Sequence, residues 1–157
     1  MKTLQAVFAA LISLLLLAPF ASASGPTTAS GGFTGTVAIT SVREADGNTI
    51  VTAIETQTLT GFLSGTRVAV GVETIHPDGT FNAHDTGTFI GAAGGRSGTA
   101  IITGSSTGIG NAGSGQLVVE LGTAGLAGLH AQGTFLPTFT GPTTAVGTYS
   151  VQFHFEP

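Results

Sequence analysis

The chain has 157 residues, 25 glycines, no cysteine and only 8% charged residues. Without cysteine there is no disulfide, no thiol nucleophile and no thiolate metal site, so packing alone must hold the fold. The 41% apolar content is too high for a disordered chain. Four Lys and Arg against eight Asp and Glu leave no basic patch of the kind that binds nucleic acid.

The N-terminus reads as an export signal. Lys2 gives a short positive region, Val7 to Ala18 form an apolar stretch broken only by Ser13, and Pro19 ends it. Ala21-Ser22-Ala23 then supplies the small-x-small pattern that signal peptidase cuts. The stretch is short for a membrane span, which needs about 20 residues, and no second one follows. Residues 1–23 are therefore expected to be a cleaved signal peptide, and the protein to be secreted or periplasmic, without membrane insertion after cleavage. Cleavage removes the only lysine and leaves Arg43, Arg67 and Arg96 against eight carboxylates, a balance of −5.

Ser24 to Gly32 is small, polar and rich in Gly, Pro, Thr and Ser, and is expected to be a flexible tail. From residue 33 to 157 the chain settles into short runs of Val, Ile, Thr and Phe punctuated by turn residues. Strands are predicted at about 33–42, 49–60, 66–75, 81–90, 99–104, 116–121, 129–136 and 146–155. Asp46-Gly47-Asn48, Pro77-Asp78-Gly79 and Gly94-Gly95 supply the chemistry of tight reversals. Gly108 to Gly115 reads as a looser, Gly-rich connection.

Alternation within the runs separates an apolar face from a threonine-rich one. The last strand sets Tyr149, Val151, Phe153 and Phe155 against Ser150, Gln152 and His154; the fourth sets Phe81, Ala83 and Phe89 against Asn82, His84 and Thr86. This is the pattern of an all-β antiparallel sheet with one solvated side. Eight such strands without helices bury their apolar faces either in a β-sandwich or in a single closed β-barrel. Gly35, Gly87, Gly133 and Gly147 fall on apolar faces, where a missing side chain lets a sheet coil tightly. That favours the eight-stranded barrel, with the sandwich as the alternative.

Five stretches follow one another along the chain: Leu59 to Gly65 (LTGFLSG), Pro77-Asp78-Gly79, Gly94 to Gly98 (GGRSG), Gly122 to Phe135 (GTAGLAGLHAQGTF) and the closing strand Tyr149 to Phe155. From about Phe33 to Phe155 the chain thereby resembles a bacterial domain family of unknown function with the allene-oxide-cyclase-like β-barrel. Relatives often carry a Glu before the GGRSG hairpin, where this chain has Thr86-Gly87-Thr88. The resemblance implies an eight-stranded antiparallel barrel. The wider superfamily includes plant cyclases and dirigent-type proteins, which hold an apolar substrate in the barrel and steer its ring closure or coupling. The plant cyclase's catalytic residues have no matching motif in this sequence.

Three residues are candidates for chemistry. Asp85 shares a face with Phe81, Ala83 and Phe89, which turns it inward, where desolvation would make a carboxyl a general acid or base. A bulge near His84 would instead carry it to the rim. Tyr149 lies on an apolar face, and its hydroxyl needs a partner if buried. Glu55 faces inward if its strand buries Val51, Ala53 and Leu59, but outward if it buries the almost equally apolar Ile50 and Ile54. Arg67 and Glu73 alternate against Val68, Val70 and Val72 and are expected to point outward. Arg96 lies in a hairpin, as a solvated loop residue or at a barrel mouth.

Other motifs carry less. Thr103 to Gly110 (TGSSTGIG) matches a dinucleotide-binding string, but the glycines that follow forbid a helix start and no Y-x-x-x-K occurs, so no cofactor is expected. His84, His130 and His154 fall on threonine-rich faces with no histidine at i+2 or i+4, and His76 at a turn, so no metal site is expected. No G-x-S-x-G elbow is present. Three functions remain: a binding module for one small apolar or amphipathic molecule, a cyclase- or isomerase-type enzyme using Asp85 or Glu55 with Tyr149, or a structural protein with a packed barrel.

Overall fold

Val, Ile, Thr and Phe in alternation with small residues build strands that are longer than the sequence pattern predicts. In the computed structural model, which describes residues 25–156, they are β1 Thr27–Ala45, β2 Asn48–Gly61, β3 Leu63–Ile75, β4 Thr80–Ala93, β5 Arg96–Ile109, β6 Ala112–Glu120, β7 Leu129–Gly141 and β8 Thr144–Phe155. Each pairs with the next, and β8 returns to β1 from Thr36↔Thr144 to Thr27↔Phe153. The result is a closed eight-stranded antiparallel barrel rather than a sandwich. Closure leaves no strand edge to template association. The predicted signal peptide, residues 1–23, lies outside the described residues.

Two expectations are corrected by the ladder. Residues 27–32, expected to be part of a flexible tail, are the first third of β1 and pair with β8. Small polar residues there are what an outer wall needs, and their pairing closes the barrel. The Gly-rich stretch 108–115 is not a loose connection: β5 runs to Ile109, β6 starts at Ala112, and only two residues turn the chain. Its glycines are spacing devices, since a Cβ on Gly115 would lie 2.6 Å from the Phe135 ring. The TGSSTGIG string is thus largely a strand of the wall.

The two ends differ. At the end where β2 meets β3 and β4 meets β5, Leu63, Phe89, Val119, Leu129 and Val151 fill the interior. Each such fully buried side chain contributes about 1.5–3 kcal/mol. The connection from β6 to β7 folds across this end with a single 3₁₀ turn, Ala124–Leu126, whose Leu126 plugs the bottom. Phe62 packs on Phe153 with ring centroids 4.1 Å apart, and the Arg96 guanidinium lies 4.1 Å over the Phe155 ring. Arg96 therefore seals the plugged end by cation–π contact. The opposite end, where the β1–β2, β3–β4, β5–β6 and β7–β8 hairpins lie, is hollow.

Candidate functional site

The hollow end holds a cavity of about 340 Å³. Inward positions of all but one strand line it, with Val51, Ile75, Phe81, Phe135 and Phe139 giving an apolar collar. Phe81 and Phe139 meet edge to face at 6.1 Å. Glu55, Gln57, Glu73 and Asp85 also line it. Below them a smaller cavity of about 40 Å³ is lined by Arg67, Asp85, Gln57 and apolar residues of the plugged half.

A charged layer separates the two halves. Arg67, only 4% exposed, donates from Nη2 to Asp85 Oδ1 and to the carbonyl oxygen of Ile102 (3.0 Å), and from Nη1 to Gln57 Oε1 (3.1 Å). Gln57 in turn donates to Glu55 Oε2 at 3.1 Å. Four inward side chains from β2, β3 and β4 thus form one chain of hydrogen bonds. Arg67 Nε is buried without an acceptor among the described residues. Burying a guanidinium is costly unless a carboxylate and further acceptors compensate, and Asp85 supplies the carboxylate. Gly71 and Gly104 make room: a Cβ on Gly71 would lie 2.7 Å from Glu55 Oε1, and one on Gly104 2.8 Å from Asp85 Oδ2.

Of the sequence candidates, Asp85 and Glu55 face the cavity, Asp85 without the bulge that would carry it to the rim. Glu55 has its pKa raised, first by burial and next by the negative charge of Asp85, with Arg67 and the Gln57 hydrogen bond opposing. Glu73 is raised by burial. Tyr149 is elsewhere, in the plugged half. Its hydroxyl accepts from the Leu63 amide (2.7 Å) and donates to the Thr60 carbonyl (2.9 Å), tying the β2–β3 turn to β8. Burial raises its pKa.

Arg67 and Glu73 point inward, which corrects the expectation that they face solvent. The apolar residues between them lie outside: Val68 is 49% and Val70 58% exposed. Alternation on this strand was misleading because its inner face carries the charge and its outer face the valines. Arg67 was the site residue that sequence reasoning missed. The available signal was Asp85 itself, since an inward carboxylate calls for an inward cation.

The histidines are peripheral. His84, His130 and His154 are exposed on the outer wall, where His130 and His154 stack across β7 and β8 at 5.4 Å. His76, at the hairpin end, has Nδ1 2.7 Å from Asn48 Oδ1 and Nε2 3.0 Å from Asn82 Nδ2, linking β2 to β4. No group of three His, Cys, Asp or Glu side chains that could hold a metal ion occurs among the described residues.

One plugged end, one hollow end and a charged layer between them define a cup-shaped eight-stranded antiparallel barrel. No family model matches the sequence, and no curated protein sequence matches it. Among solved structures, the chain is similar to the crystal structure of a protein of unknown function from the DUF3224 family of Shewanella oneidensis MR-1. The identity is 18%, the TM-score 0.68, and the match covers 84% of this chain and 98% of that one. At this identity the likeness shows a shared barrel fold.

Proposed function

We propose that this protein is an exported barrel that holds one small amphipathic molecule in its hollow end. The observation that carries the reading is the cavity. At about 340 Å³ it falls in the range of roughly 300–1,000 Å³ typical of small-molecule sites. Its apolar collar suits a hydrocarbon or aromatic body, and the Glu55–Gln57–Arg67–Asp85 layer offers a polar head its hydrogen-bonding partners. A barrel serving only as scaffold would bury more by filling this space with side chains. Export is read from residues 1–23, and the allene-oxide-cyclase-like resemblance adds the precedent of barrels that enclose an apolar substrate.

An enzyme of the cyclase or isomerase kind is the second reading, and Glu55 favours it. A carboxyl with a raised pKa beside a substrate cavity is placed to exchange a proton. Tyr149 does not contribute, because its hydroxyl is committed to backbone groups in the plugged half. The experiment is native mass spectrometry of the protein purified from its own host. One adduct per chain, released on unfolding, is expected. A bare chain that also takes up none of a panel of amphipathic probes would overturn the binding reading.

A further inference from the structure

We infer that the molecule held in the cavity carries a cationic amine head on its apolar body. This rests on the binding reading above and adds the charge class of the ligand. Three carboxylates, Glu55, Glu73 and Asp85, line the cavity. The chain has only four Lys and Arg, all accounted for. Lys2 precedes the barrel. Arg43 lies opposite Ile50, on the outward side of the β1–β2 hairpin, and Arg96 is stacked on Phe155 at the plugged end. Arg67 is committed to Asp85, Gln57 and the Ile102 carbonyl. Glu55 and Glu73 therefore have no salt-bridge partner among the described residues.

Two further observations favour an organic cation. First, the carboxylates do not converge on a point: no metal-holding group of three exists among the described residues. Negative charge spread along one wall suits an ammonium with several N–H donors, attached to a body that fills the collar. Second, the walls beside the carboxylates are kept clear by Gly71 and Gly104, so the acids occupy prepared recesses. An apolar surround strengthens attraction between a carboxylate and a bound cation, and a formal net charge of −4 draws cations toward the molecule from a distance.

The test compares three probes with one hydrocarbon body, octylamine, octanol and octanoate, by titration calorimetry at neutral pH on the processed protein. Octylamine should bind at least about tenfold more tightly than octanol, and octanoate most weakly. Glu55→Gln and Glu73→Gln should each reduce octylamine affinity several-fold and octanol affinity distinctly less, because glutamine keeps a hydrogen-bonding partner for a hydroxyl but not the charge. Each replacement removes a desolvated carboxylate, so folding is retained. Equal binding of all three probes, or a preference for octanoate, would overturn the cationic head and leave the binding reading standing. Octylamine selectivity that survives both substitutions would overturn the assignment to these glutamates. Failure of all three probes would remove the binding reading, and this inference with it.

Discussion

Replacing Asp85 with Asn deletes the charge that compensates Arg67 while keeping shape and hydrogen-bonding capacity. Arg67 is 4% exposed and Asp85 14%, so the guanidinium would remain buried with only neutral acceptors, the new amide oxygen at position 85, Gln57 and the Ile102 carbonyl. Breaking a buried pair by removing one partner costs about 3–5 kcal/mol. Two features place Asp85→Asn at the low end. Asp85 borders a cavity, and its loss also removes repulsion on Glu55, which can turn toward Arg67. We expect about 3 kcal/mol, or a fall in melting temperature of roughly 10–15 °C for a domain of this size. The assay is thermal unfolding followed by circular dichroism, run as a double-mutant cycle with Arg67→Met. The paired replacement Asp85→Leu with Arg67→Met should recover most of the loss, because a buried ion pair exchanged for apolar residues is often neutral or stabilising. An Asp85→Asn barrel within about 1 kcal/mol of the parent would refute the claim that this pair supports the polar layer.

Stability should rise on mild acidification. Glu55 and Glu73 have folded-state pKa values above the ordinary 4.5; the folded state then binds more protons in the interval above 4.5, and stability falls as pH rises through it. Asp78, with a lowered pKa, opposes this only at more acid pH. A melting temperature that drops steadily from pH 7 to pH 5 would contradict this. Tyr149→Phe should lower stability by about 1–3 kcal/mol by stranding the buried Leu63 amide; an unchanged urea midpoint would show that the hydroxyl bonds contribute nothing. Intact mass of protein recovered from outside the cytoplasm should begin at Ser24, and a retained residue 1 would remove the export reading.

The barrel was legible because alternation and turn chemistry agreed along most of the chain. Asp46-Gly47 and Gly94-Gly95 turn at the predicted hairpins with positive φ throughout, and Phe81, Phe89 and Tyr149 face inward as their strands' patterns require. Strand ends were less legible. Gly and Ser at 108–115 look like loop residues until Phe81 and Phe135 are seen lying over them, which only the tertiary fold reveals. The site was half legible for a related reason. Asp85 sits on a strand whose inner face is otherwise aromatic, so alternation located it. On β3, by contrast, Val68 and Val70 lie outward, and a pattern rule that sends valine inside sends Arg67 and Glu73 outside.

That inversion on β3 bears on why the barrel is hollow at all. Eight strands enclose a space that side chains can just fill, and the plugged half does so with Leu63, Phe89, Val119, Leu126 and Leu129. Continuing that packing upward would require large apolar residues at the next inward positions of β2, β3, β4 and β5. Those positions hold Glu55, Gln57, Arg67, Gly71, Asp85 and Gly104 instead. The charged residues must keep their hydrogen-bonding partners and cannot be covered by hydrocarbon without loss, and the glycines contribute no bulk. The Arg67 layer is therefore the boundary at which dry packing stops. Asp85→Leu with Arg67→Met, the variant expected to keep most of the parent's stability, should for the same reason shrink the polar floor and weaken ligand uptake, so that binding falls while stability is largely retained in one protein.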